Sequence, residues 1–145
     1  MFTRILPLST LVLVILFSAC SEVVPPENSP FCKLGAPTAS CTYNVTEHSV
    51  RIFATEPAMP EETPIQLLIT GAKTLGIERA YLTGENMYMG SIPVNFTTNE
   101  QGDFEAQIRL GVCAEPNMIW RLNIEWENAA LPAFSVVFAA EPFKS

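Results

Sequence analysis

The chain is poor in the residues from which catalytic centres are usually assembled. It contains one histidine, His48, in 145 residues, so a serine or cysteine nucleophile has almost no choice of base. A site needing several imidazoles is excluded, and a surface or strand-edge position is the expected one for His48. No Gly-X-Ser-X-Gly elbow occurs. Gly71-Ala-Lys73-Thr74 lacks the preceding glycine spacing of a phosphate loop and reads as a turn. There is no Cys-X-X-Cys redox pair, and nothing singles out a catalytic pair among 15 scattered carboxylates. The chain is therefore expected not to be an enzyme. Basic residues are scarce as well: 8 against 15 acidic ones give a net charge of −7. That balance repels phosphate backbones and anionic lipid surfaces, so no nucleic-acid partner is expected.

One long apolar run is present, at the start. Met1-Phe-Thr-Arg4 supplies a short positive beginning, and the chain from Ile5 to Phe17 is almost continuously apolar. Its length suits a signal-peptide core, whereas a spanning helix needs about 20 apolar residues. Ser18 and Ala19 then precede Cys20. This arrangement resembles the lipobox of bacterial lipoprotein precursors, with Phe17 in the place usually held by leucine. The resemblance implies cleavage before Cys20, a diacylglyceryl thioether on its sulfur and acylation of its new amino terminus. At about 0.8 kcal/mol per buried methylene, several acyl chains make a lasting membrane anchor. Ser21, rather than aspartate, after the cysteine implies outer-membrane sorting with the domain facing the periplasm.

Three segments follow from this: a signal peptide over 1–19, a lipidated cysteine and tether over 20–40, and a domain over 41–145. Pro25, Pro26 and Pro30 bias the tether to an extended, semi-rigid state. The mature chain keeps 7 basic and 15 acidic residues, a net −8, because Arg4 is the sole charged residue of the signal segment. It is long enough to bury a core of its own.

In the domain the apolar period is two. Phe104, Ala106, Ile108 and Leu110 alternate with Glu105, Gln107 and Arg109, and Trp120, Leu122, Ile124 and Trp126 alternate with Arg121, Asn123 and Glu125. Both patterns describe half-buried strands with one wet face. Weaker strand signals cover Ser49–Thr55, Ile65–Thr70, Arg79–Thr83, Ile92–Thr97 and Ala133–Phe138, separated by proline-, glycine- and asparagine-containing turns. About seven short strands without a convincing helix predict an all-β fold, an antiparallel immunoglobulin-like sandwich. A cupredoxin-like sandwich or small barrel leaves a similar trace.

Export favours disulfides. With Cys20 committed to lipid, Cys32, Cys41 and Cys113 allow three single bridges, each leaving one thiol over. The local pair Cys32–Cys41 is the expected bridge, closing a small loop for roughly 2–3 kcal/mol, and Cys113 is then the odd thiol.

That thiol belongs to the one constellation that carries chemistry. Met87 and Met89 precede one predicted strand, and Cys113 and Met118 follow the next. A hairpin of Ile92–Thr97 with Asp103–Leu110 brings all four to one end of the sandwich. Thiolate and thioether sulfurs are soft ligands that select Cu(I) over harder divalent ions. Methionine also fills irregular gaps in cores, and free cysteine is commonly a small buried hydrophobe, so packing is the simpler reading of the same residues.

The run Leu82-Thr-Gly-Glu-Asn-Met-Tyr-Met-Gly90, followed by Leu110-Gly-Val-Cys113 and Met118-Ile-Trp120, resembles small envelope proteins of Gram-negative bacteria. More distantly it is similar to FixH/YtkA-type sandwich domains. The resemblance spans about residues 64–126 and implies copper handling linked to respiratory oxidase assembly. The chain lacks the histidines of many periplasmic copper carriers, which leaves Cu(I) as the form expected. The sequence thus points to a membrane-anchored, non-catalytic envelope lipoprotein. Its binding domain takes either Cu(I) or, as a structural or adaptor protein, another envelope protein.

Overall fold

A computed structural model describes residues 32, 34, 40–56 and 58–141. The expected signal peptide, Cys20 and most of the tether lie outside the described residues. Among the described residues are nine strands and no helix: β1 (Ser40–Val45), β2 (His48–Ala54), β3 (Pro64–Thr70), β4 (Ile77–Gly84), β5 (Ser91–Pro93), β6 (Thr97–Thr98), β7 (Phe104–Arg109), β8 (Ile119–Trp126) and β9 (Phe134–Ala139). They make two antiparallel sheets, ordered β1-β2-β3-β7-β6 and β5-β4-β8-β9. The pairing β2-β3-β7-β6 facing β5-β4-β8-β9 is the A-B-E-D and C′-C-F-G order of an immunoglobulin-like sandwich. β1 extends the first sheet by a hairpin through Thr46, a non-glycine residue at φ 55.

Alternation in the chain becomes two facing apolar surfaces. Ile65, Leu67 and Ile69 of β3 and Phe104, Ala106 and Ile108 of β7 are buried from one sheet. Leu82 of β4, Trp120, Leu122, Ile124 and Trp126 of β8, and Val136 and Phe138 of β9 are buried from the other. The inward and outward assignment of both clear strands holds, with one exception. Arg121 points away from the core yet is only 8% exposed. Glu85 lies over it and accepts from Nε and Nη2 at 2.7 and 2.8 Å, and Ser135 Oγ accepts from Nη1 at 3.0 Å. The ion pair holds the Glu85 carboxyl below its ordinary pKa, chiefly through its hydrogen bonds to Arg121.

The expected strand Ile92–Thr97 divides in two. β5 pairs with β4 in one sheet, and β6 pairs with β7 in the other. Pro93 has no N–H to offer a neighbour, and the chain crosses between sheets just after it, where the Val94 N–H donates to the Ala80 carbonyl at 2.8 Å. The hairpin is accordingly short, with Thr97 opposite Glu105 and Thr98 opposite Phe104.

Cys32 and Cys41 are paired at disulfide distance, with Cα atoms 5.9 Å apart. Cys41 belongs to β1 at the edge of one sheet. The Cys32 N–H donates to the Val137 carbonyl of β9, at the edge of the other, at 2.6 Å. The pair therefore clasps the two sheets along one open side, and both Cys32 and Leu34 are buried.

Leu122 lies at the centre of this packing, opposite Leu82 on one side and Val136 on the other. Leu122→Ala is expected to lower unfolding free energy by about 2–5 kcal/mol, the usual range for a buried leucine that leaves a cavity. Urea denaturation measures it, and a change below about 1 kcal/mol would place Leu122 outside a packed core.

Candidate functional site

Three connections meet at one end of the sandwich: 55–63 between β2 and β3, 85–90 between β4 and β5, and 110–118 between β7 and β8. Pro64 opposite Arg109 and Gly84 opposite Trp120 fix the strand ends from which they emerge. This tip carries all four sulfur residues singled out in the sequence.

The 85–90 connection begins at Gly84. A Cβ there would strike the Met87 carbonyl and stand 2.6 Å from Met118 Cε and 3.1 Å from Met89 Cγ. Glycine is thus the residue that lets the Met89 and Met118 side chains close over the same point. Gly90, at φ 69, supplies the left-handed turn into β5. Asn86 fastens this connection to the next one. Its Nδ2 donates to the Asn117 carbonyl at 2.8 Å, and its Oδ1 accepts from the Ile119 N–H at 2.9 Å. The Glu85 N–H donates to the Ile119 carbonyl at 2.8 Å, carrying the β4–β8 ladder one step past the strand.

The 110–118 connection is held from the other side by Glu62, a non-glycine residue at φ 58. Its N–H donates to the Leu110 carbonyl at 2.8 Å. Its carboxylate accepts from the Val112 N–H at 3.2 Å, and its carbonyl accepts from Arg109 Nη1 at 2.5 Å. A left-handed backbone at such a residue is uncommon and costs energy, and these three bonds offset that cost while aiming Cys113 inward.

The result is direct contact between sulfurs, the Cys113 thiol donating to Met89 Sδ at 3.2 Å. Met118 is fully buried beside them, and Met87 is 37% exposed at the rim. Cys113 is half-buried and is the free cysteine among the described residues. Burial pushes its thiol pKa up, and the Glu61 carboxylate adds to the rise. At neutral pH the group is therefore a protonated thiol rather than a reactive thiolate.

Two residues of the tip escaped the sequence reading. Met59 is buried, and its carbonyl accepts from the Glu141 N–H at 2.9 Å, next to the bond from Ala140 N–H to the Met118 carbonyl at 3.0 Å. Every methionine among the described residues thus lies at this end. Glu61, 4% exposed, is the buried carboxylate that acts on Cys113. Neither position carried a strand pattern, because both sit in a proline-flanked connection.

No three His, Cys, Asp or Glu side chains gather as a metal-holding group among the described residues. An ion held at this tip would rest on methionine sulfur. His48 lies at the other end, where Val45 faces it across the β1–β2 turn. That far end also has an open hollow lined by Glu78, Glu125, Trp126 and Glu127. One of its carboxylates is engaged by Arg79, at 2.6 Å from Nη2 and 3.1 Å from Nε. Compared with known protein families, curated proteins and solved structures, the chain matches none.

Both causes that act on Cys113 disfavour its thiolate, so its alkylation rate should rise with pH to a midpoint above that of an ordinary cysteine. Glu61→Gln removes the like charge and should move the midpoint down. Iodoacetamide kinetics between about pH 7 and 10 measure this, spanning the usual thiol range. A wild-type midpoint below the ordinary value would contradict the assignment.

Proposed function

We propose that the protein is a membrane-anchored, non-catalytic envelope lipoprotein whose sandwich binds Cu(I) at its tip. Met89, Cys113 and Met118 are the ligands, and Met87 closes the site from outside. The observation that carries this reading is the 3.2 Å contact between Cys113 and Met89 sulfurs, beside a third sulfur side chain packed on Gly84. A thiolate with two thioethers is a soft, singly charged set suited to a singly charged soft cation. With metal–sulfur bonds of about 2.3 Å, two ligands at a tetrahedral angle stand roughly 3.8 Å apart. The Cys113 and Met89 side chains would need to part by roughly half an ångström to admit an ion with bonds of that length. In this reading the anchor at Cys20 holds the domain at the outer membrane, facing the periplasm, and copper supply to respiratory oxidase assembly is the role.

Binding must displace the Cys113 proton, so apparent affinity should rise about tenfold per pH unit below the thiol pKa. Anaerobic titration of the reduced domain against a competing Cu(I) chelator should give one ion per chain. Met89→Leu combined with Cys113→Ser should weaken binding at least a hundredfold. Unchanged affinity in that variant would contradict the proposed ligands. The anchor has its own test: Cys20→Ser should move the protein from the membrane to the soluble fraction of the envelope, and unchanged membrane retention would remove the lipid.

The complete burial of Met118 and Met59 favours a second reading, in which the sulfurs are core packing and the domain is a structural or adaptor module for another envelope protein. It predicts no stoichiometric Cu(I) uptake in the same titration.

A further inference from the structure

The surface around the sulfurs has a composition of its own. Tyr88 is 94% exposed, Val112 55% and Met87 37%, and these are the large hydrophobic side chains exposed among the described residues. Tyr88 and Val112 are the chain neighbours of Met89 and Cys113, whose sulfurs touch. The exposed apolar groups therefore flank the sulfur pair from the two connections that supply it. Both connections are clamped, one by Asn86 and the other by Glu62, so little ordering entropy remains to be lost on docking. An exposed tyrosine on a fixed loop is a common anchor of protein interfaces.

Charge restricts what can dock there. The connections 55–63, 85–90 and 110–118 contain Glu56, Glu61, Glu62, Glu85 and Glu115 and no lysine, arginine or histidine. The cations that reach the tip come from strands and are already engaged. Arg109 donates to the Glu62 carbonyl and Arg121 to the Glu85 carboxylate. With the Arg109 and Arg121 guanidiniums set against five carboxylates the tip stays net negative, so a second copy would face like charge, and an anionic lipid surface is repelled for the same reason. A basic surface is attracted.

We propose that the tip is the docking face for a protein carrying a soft metal ion. On that partner a thiolate- or thioether-held ion sits within a rim of lysine and arginine, and Tyr88 is the anchor on this side. The inference rests on the Cu(I) reading of Met89, Cys113 and Met118 and adds the partner and the route. Transfer passes through a complex in which the acidic rim meets a basic one. Cu(I)–sulfur bonds to Met89, Cys113 and Met118 form as the donor's copper–sulfur bonds break. The Cys113 proton leaves to the released donor sulfur or to water, and copper stays Cu(I) throughout. Electrostatic complementarity of this kind acts chiefly on the association rate and is screened by salt.

The test uses two synthetic donors, Cu(I)-loaded Cys-Xaa-Xaa-Cys peptides of equal affinity, one flanked by lysines and the other by glutamates. Stopped-flow transfer to the reduced protein should be at least tenfold faster from the lysine-flanked donor at low salt. That advantage should vanish near 0.5 M salt. Tyr88→Ser should slow transfer from the lysine-flanked donor several-fold while leaving the equilibrium Cu(I) affinity unchanged. Equal rates from both donors, or rates untouched by Tyr88→Ser, overturn the docking face while the Cu(I) site stands. A copper-bridged dimer seen by light scattering overturns it in favour of a second copy. Failure of the wild-type protein to take Cu(I) from a chelator removes the site itself, and the docking face with it.

Discussion

The antiparallel pairing of β4 with β8 is the contact on which the rest of the molecule depends. It runs from Ile77 opposite Trp126 to Gly84 opposite Trp120, and places the largest core side chains in the centre of the second sheet. It also decides what happens at the tip. Because Gly84 ends one strand beside the start of the other, Met118 and the 85–90 connection leave the sheet together. A one-residue slip would turn the β8 tryptophans to solvent and part Met118 from Met89. Core and tip are set by one register.

The tip is held open to chemistry by polar clamps rather than by sheet hydrogen bonds. Asn86 bridges two connections with both ends of its amide. Glu62 takes an uncommon backbone angle and makes three hydrogen bonds in return, donating one and accepting two. Preorganisation of this type is what a small binding site needs, since ligand groups fixed in place lose less entropy on capture. The same geometry keeps the Cys113 thiol half-buried and protonated, which suits a ligand exchanged for a proton better than a nucleophile. In the proposed role, pH and copper compete for one sulfur.

Much of the architecture is legible in the chain because a two-residue period is a direct image of a half-buried strand. β7 and β8 alternate without a break, and their inward residues are the buried ones. The pairing of Cys32 with Cys41 follows from proximity in sequence. What the alternation does not encode is the change of sheet after Pro93. A proline inside an apolar run marks an edge or a break but not the sheet the chain joins next. Arg121 reads as a wet-face residue because its cover, Glu85, comes from 36 residues away. The gathering of Met89 with Cys113 was expected from a hairpin that proves to be two residues long on each side. The contact forms instead because the two connections leave opposite sheets at the same end. Met59 was invisible for a related reason, as it lies in a connection between prolines and reaches the tip through a bond to Glu141.

Whether these sulfurs are ligands or packing is a question about the atoms bound to copper, and copper-edge X-ray absorption of the Cu(I)-loaded, reduced protein answers it directly. The expected result is a shell of three sulfurs at about 2.3 Å, the usual metal–thiolate distance, with one sulfur lost in Cys113→Ser. A shell of nitrogen or oxygen, or a sulfur shell unchanged in that variant, would contradict it.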